Sequence, residues 1–128
     1  MKGIDEMKFT TLIVGTALAL TAGMALAGPQ VTKDANKGVL ADGKGMTLYI
    51  FDKDRAGEST CYGGCAKSWP PFFAAEGARA DGAFSLVQRK DGRAQWAVNG
   101  QPLYYWAGDR KPGDTTGDGV GGTWHVIR

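Results

Sequence analysis

Residues 48–69 read LYIFDKDRAGESTCYGGCAKSW, and residues 103–124 read LYYWAGDRKPGDTTGDGVGGTW. An offset of 55 (103 − 48) pairs Leu48 with Leu103, Tyr49 with Tyr104 and Phe51 with Trp106. It also pairs Asp54 with Asp109, Arg55 with Arg110, Gly64 with Gly119 and Trp69 with Trp124. Gly45 and Gly100 align upstream. Self-similarity at a fixed spacing marks a repeat architecture. Two copies, about 38–73 and 84–128, are expected to form one domain over 28–128.

Outward from this stretch, the pattern reads as β structure. Residues 46–52 carry apolar side chains at both parities, Leu48 and Ile50 on one face, Tyr49 and Phe51 on the other. A strand covered on both faces fits that pattern. Val39-Leu40-Ala41 precedes it, and Asp42-Gly43-Lys44-Gly45 between them is a hairpin signal. Residues 84–88 and 94–98 read as two more strands turned by Lys90-Asp91-Gly92. Asn99-Gly100 is the strongest short hairpin signal in the chain, and it predicts a partner strand at 103–107 with Pro102 at its start. Residues 61–69 predict one or two helical turns, opened near Thr60 and stopped by Pro70-Pro71. Residues 28–37, with Pro29 and Asn36, read as a lead-in or edge segment, and 74–82 as a connector. Phe72 and Phe73 are expected under the sheet. A long Gly/Asp/Thr loop spans 108–122, and 123–127 closes the domain as a strand. The fold class is therefore mostly β: one small antiparallel domain of about seven short strands, with one short helix at the Cys pair.

Residues 1–27 have the form of a cleaved export signal. Lys2 and Lys8 supply positive charge, 10–20 is mostly apolar, and Ala25-Leu26-Ala27 is a small-x-small site ahead of Gly28. Met7 serves equally well as a start, since the signal is complete from there. No Cys follows the apolar run, so a lipoprotein thioether has no attachment point. The expected product is a soluble periplasmic or secreted protein with no stable membrane insertion after signal removal.

The 101 residues from Gly28 to Arg128 are enough for one modest core. They carry 13 Lys plus Arg against 11 Asp plus Glu, interspersed, so no basic block suggests nucleic acid. All four Trp and all four Tyr lie here. An aromatic core with many Gly turns favours sheet over helical bundle.

The chemistry-bearing residues are few. Cys61 and Cys65 form C-x3-C, which is neither the C-x-x-C of thioredoxin-like sites nor the haem-attachment C-x-x-C-H. In an oxidising compartment a structural disulfide is the expectation, worth on the order of 2 kcal/mol in the chain-entropy model. At i and i+4 the pair is long for a bridge within a regular helix, and a distortion at Gly63-Gly64 would bring the two together. The second copy has Thr116 and Val120 at the aligned positions.

The aromatic-acid element admits two readings. Either the aromatics fill the core and each Asp accepts N–H bonds from its turn, or they wall a ligand groove with polar handles. The candidate binding surface is Tyr49, Phe51, Asp54, Arg55, Trp69, Tyr104, Trp106, Asp109, Arg110 and Trp124. Asp114 and Asp118 weakly resemble a calcium loop but fail the EF-hand spacing. His125, the only histidine, is a weak metal or haem candidate. No catalytic residue, resident metal or cofactor is predicted.

Tyr49-x-Phe51-x-x-Asp54 and Tyr104-x-Trp106-x-x-Asp109 match Y-x-[FWY]-x-x-D. With CYGGCAKSWPP at 61–71 and GDGVGGTWHV at 117–126, the chain resembles the bacterial secreted repeat of unknown function, a family of predicted lipoproteins. The resemblance implies an exported, duplicated protein without an established activity. Lipid anchoring does not carry over, because the anchoring Cys is missing. The expected function is non-enzymatic binding of a small ligand or an envelope partner. The alternative is redox, metal or haem handling by Cys61, Cys65 and His125.

Overall fold

The computed structural model describes residues 28–33 and 37–128. The export signal read in 1–27, its two possible starts, and Asn36 lie outside the described residues. The two-faced alternation at 48–51 sorts into two separate cores. Leu48 and Ile50 face one core with Leu40, Trp96, Val98 and Leu103. Tyr49 and Phe51 face the other with Cys61, Trp69, Tyr104 and Trp124. The second copy repeats the division, Leu103 and Tyr105 to the first core, Tyr104 and Trp106 to the second.

Among the described residues the order is β1 (Val31–Thr32), β2 (Ala41–Asp42), β3 (Tyr49–Phe51), α1 (Gly64–Ser68), β4 (Phe84–Gln88), β5 (Ala94–Val98), β6 (Gln101–Pro102) and β7 (Trp124–Val126). A single 3-10 turn, Val120–Gly122, precedes β7. All pairings are antiparallel: β1 with β2, β3 with β7, and β4–β5–β6 as a meander. In β3/β7, Tyr49 lies opposite Val126 and Phe51 opposite Trp124. The predicted strands at 84–88 and 94–98 fall where expected.

The two copies exchange their closing segments. Strand β3 of the first copy pairs with β7 of the second. In return, the second copy's Tyr105 and Ala107 donate their N–H groups to Pro70 and Ser68 of the first, at 2.7 and 2.8 Å. At the centre Tyr49 and Tyr104 exchange both backbone bonds, 2.8 and 3.0 Å, so equivalent residues of the two copies face each other. Such a closely bonded antiparallel pair of equivalents is what a local two-fold axis requires. The β3/β7 sheet is thus formed between the copies, whereas β4–β5–β6 lies within the second.

Three local expectations shift. In the first hairpin the left-handed residue is Gly45 (φ 88°), not Gly43, because Asp42 Oδ1 accepts both Lys44 N–H and Met46 N–H and wraps the turn around itself. Residues 103–107 are not a regular strand. Their neighbour holds Pro70 and Pro71, which have no N–H to give, so the ladder on that side stays incomplete. The paired strand after the Asn99-Gly100 turn is instead β6, and both turn residues have positive φ (49° and 82°), as a type I′ hairpin needs. The helix begins only at Gly64, after Gly63 at φ 58°, a conformation that excludes Cys61 from it. The Cys61–Cys65 disulfide forms across that break with the Cα atoms 5.3 Å apart.

Candidate functional site: a crossed tyrosine–aspartate core and an open cavity

Each repeat motif is satisfied by the other copy. Tyr49 Oη donates to Asp109 Oδ2 at 2.7 Å, and Tyr104 Oη donates to Asp54 Oδ2 at 2.6 Å. The second carboxylate oxygen stays local. Asp54 Oδ1 accepts from Thr60 N–H and hydroxyl, both at 2.8 Å. Asp109 Oδ1 accepts from Thr116 N–H at 2.9 Å and its hydroxyl at 2.6 Å. Thr116 does for Asp109 what Thr60 does for Asp54, so inside the loop the correspondence is 56 (116 − 60), one residue beyond the offset read from the sequence.

Burial raises the pKa of Tyr49 and of Tyr104, and hydrogen bonding to the carboxylate raises it further. Both phenols therefore stay neutral throughout the physiological range. Each also accepts one bond: Tyr49 Oη from Gly117 N–H, and Tyr104 Oη from the Ser59 hydroxyl, since its own proton is committed to Asp54.

The aromatic members form one stack. Trp69 and Trp124, equivalents in the two copies, lie parallel with centroids 3.8 Å apart. Phe51 covers Trp124 at 4.1 Å and Trp106 covers Trp69 at 4.2 Å. Tyr49 meets Trp69 edge-on at 5.4 Å, and Tyr104 meets Trp124 edge-on at 5.2 Å. The two tyrosine contacts have the T-shaped geometry that the ring quadrupole favours.

Of the predicted binding surface, then, Tyr49, Trp69, Tyr104, Trp124 and Asp109 are buried, and Phe51, Trp106 and Asp54 are half-buried. The rings pack chiefly on one another. Arg55 and Arg110 are exposed and stand apart from the carboxylates beside them in sequence, whose oxygens point inward.

The other candidates separate. Cys61 packs under Trp124, while His125, the next residue along β7, points to the opposite face and holds Asp52 at 2.8 Å. Asp114 Oδ2 accepts the N–H groups of Arg110 and Lys111, and Asp118 Oδ1 that of Val126. Asp114 thus pins its own loop, and Asp118 ties that loop to β7 and to Arg128. Among the described residues no group of three or more His, Cys, Asp or Glu is placed to hold a metal ion.

Sequence reasoning passed over Arg89. Its side chain is 1% exposed. It donates to Ser59 Oγ (3.0 Å), Gln95 Oε1 (2.9 Å), the Cys61 carbonyl (3.0 Å) and Asp91 Oδ2 (3.1 Å), and it lies over the Tyr62 ring. At Asp91 desolvation works to raise the pKa, but the Arg93 N–H and the Arg89 guanidinium outweigh it and leave the carboxyl below its ordinary value. Nothing in the alternation of β4 distinguishes Arg89 from a surface cation.

A cavity of about 500 Å³ opens elsewhere, on the first core. It is lined by the aromatic rings of Phe72 and Trp96, by Ala75 and Ala78 of the connector, and by Gln30, Asp42 and Lys44. Among the described residues no helix is long and apolar enough to cross a membrane.

The family model described as "Secreted repeat of unknown function" matches residues 31–72 and 85–128. Comparison with curated proteins and with solved structures finds no match.

Proposed function

The chain belongs to the family of secreted repeats of unknown function, and from that premise we propose that it is an exported, non-enzymatic binding protein of the periplasm. Its ligand is a small, mainly apolar molecule carried in the cavity over Phe72 and Trp96. One observation supports this reading above others: the cavity, about 500 Å³, has the size and the aromatic lining of a small-molecule site. The motif aromatics, by contrast, are consumed in the core. Lys44 in the lining can pair with one anionic group of the ligand, because the oxygens of the neighbouring Asp42 are taken by the Lys44 and Met46 N–H groups and the Tyr105 hydroxyl.

The test is native mass spectrometry of the protein recovered from its own periplasm, paired with Ala75→Trp. That substitution places an indole in the mouth of the cavity, where Ala75 is exposed. A bound small molecule that is lost in the variant, with folding unchanged, is the expected result. No adduct in either protein, together with no rise of Tm against a panel of aromatic acids, would sink the proposal, because a native-state ligand must raise Tm.

A further inference from the structure

We propose that the crossed motif core is a one-electron relay, in which Tyr49 and Tyr104 are proton-coupled terminal sites and the Trp69–Trp124 stack joins them. Indole and phenol are among the most readily oxidised side chains. A phenol that loses an electron becomes a strong acid, so a buried tyrosine is a usable site only if a base already holds its proton. Both tyrosines meet that condition, with carboxylate oxygens at 2.7 and 2.6 Å. Short O–H···O⁻ bonds of this kind place the acceptor ready for transfer. Asp109 is itself buried, and its other oxygen is held by the Thr116 N–H and hydroxyl, which fixes the acceptor in place.

The rings are continuous. From Trp106 the path runs to Trp69 (4.2 Å) and Trp124 (3.8 Å), with Tyr49 and Tyr104 on the edges of these last two. Trp106 is half-buried and is the end that faces outward.

The co-reactant is an outer-sphere one-electron oxidant. It takes one electron through Trp106 and is reduced by one. The Tyr O–H bond breaks, its proton goes to Asp54 or Asp109, and a neutral tyrosyl radical faces a neutral carboxylic acid. Return of one electron from a one-electron reductant and of the proton from the acid restores the pair.

Photogenerated tris(bipyridine)ruthenium(III), with freeze-quench electron paramagnetic resonance on the whole protein, tests the relay. The expected product is a neutral tyrosyl radical that forms more slowly in D2O. Tyr62→Phe and Tyr105→Phe leave it unchanged. The second is an internal control, since Tyr105 also donates to a carboxylate, Asp42 at 2.7 Å, but packs on Phe72 outside the stack. The pair Asp54→Asn and Asp109→Asn, checked for folding by circular dichroism, moves the radical to indole and abolishes the D2O effect. Trp106→Phe slows its onset. The relay is overturned if Tyr62→Phe or Tyr105→Phe removes the wild-type signal, or if the folded protein yields no more radical than the urea-denatured chain. The wild-type spectrum and these two Phe variants decide the matter even where the Asn pair fails to fold.

Discussion

Tyr49 and Asp109 stand 60 positions apart and Tyr104 and Asp54 stand 50 apart, yet each pair shares a short hydrogen bond. The motif spacing Y-x-[FWY]-x-x-D thus describes two half-sites rather than one site. Removing one phenol oxygen tests this. Tyr49→Phe strips a bond from the buried Asp109 and leaves Gly117 N–H without its acceptor, which costs about 1.5–3 kcal/mol. Tyr104→Phe likewise removes two bonds, one to half-buried Asp54 and one from the buried Ser59 hydroxyl, and costs about the same. Urea midpoints at constant slope give both values. A second residue-scale prediction concerns Gly117, whose Cβ would sit 2.9 Å from both Trp106 Cγ and Trp69 Cη2. Gly117→Ala must push the stack apart, at about 1–3 kcal/mol, and near-UV circular dichroism should lose its tryptophan couplet in parallel.

At the scale of elements, the first copy carries an addition that the second lacks. The loop 59–65 is bridged by Cys61–Cys65 and tied to the β4–β5 turn through Arg89. Arg89 thereby holds Ser59 against Tyr104 and the Cys61 carbonyl against the meander. Arg89→Met keeps most of the volume but leaves buried acceptors on Gln95 and Cys61 unpaired. The expected loss is about 3 kcal/mol, from the desolvation cost of those groups. Arg89→Lys should recover only part of it, since one ammonium cannot reproduce the fork. Equal stability of the Met variant and the wild type in urea would show that the arginine is a bystander. Asp91, at the solvent end of this group, stabilises the fold above its ordinary pKa, and that contribution fades as pH falls through the lowered native value.

At the scale of the molecule, two buried tyrosines, Tyr49 and Tyr104, and the half-buried Tyr105 govern the alkaline limit. Burial first, and the carboxylate partners second, raise the pKa of Tyr49, Tyr104 and Tyr105 in the native state. The unfolded chain releases these protons near pH 10 while the native chain keeps them. The unfolded state thus binds fewer protons there, and stability, flat up to about pH 10, falls as pH rises beyond it. Thermal melts between pH 8 and 12 would register this, and an unchanged Tm above pH 10 would contradict the buried phenol–carboxylate pairs. Strand exchange makes a further prediction at this scale. A chain cut in the exposed stretch 81–83 yields two halves that are each unfolded alone, since β3 and residues 103–107 then lack partners. On mixing, the halves should recover native circular dichroism. A folded isolated half would refute the exchange.

The duplication, the β class, the strands 84–88 and 94–98 and the Asn99-Gly100 turn were all legible in the chain. Each depends on side-chain period or on local backbone preference, and those act over a few residues. The two-faced alternation at 48–51 even announced a strand covered on both sides. What covers it was not legible. That Tyr49 reaches Asp109 rather than Asp54, that Trp69 lies flat on Trp124, and that Arg89 is interior all follow from a two-fold arrangement in which each copy closes the other's sheet. Sequence spacing carries no information about such contacts, because hydrogen bonds and ring stacking join atoms brought together only after the chain has crossed itself.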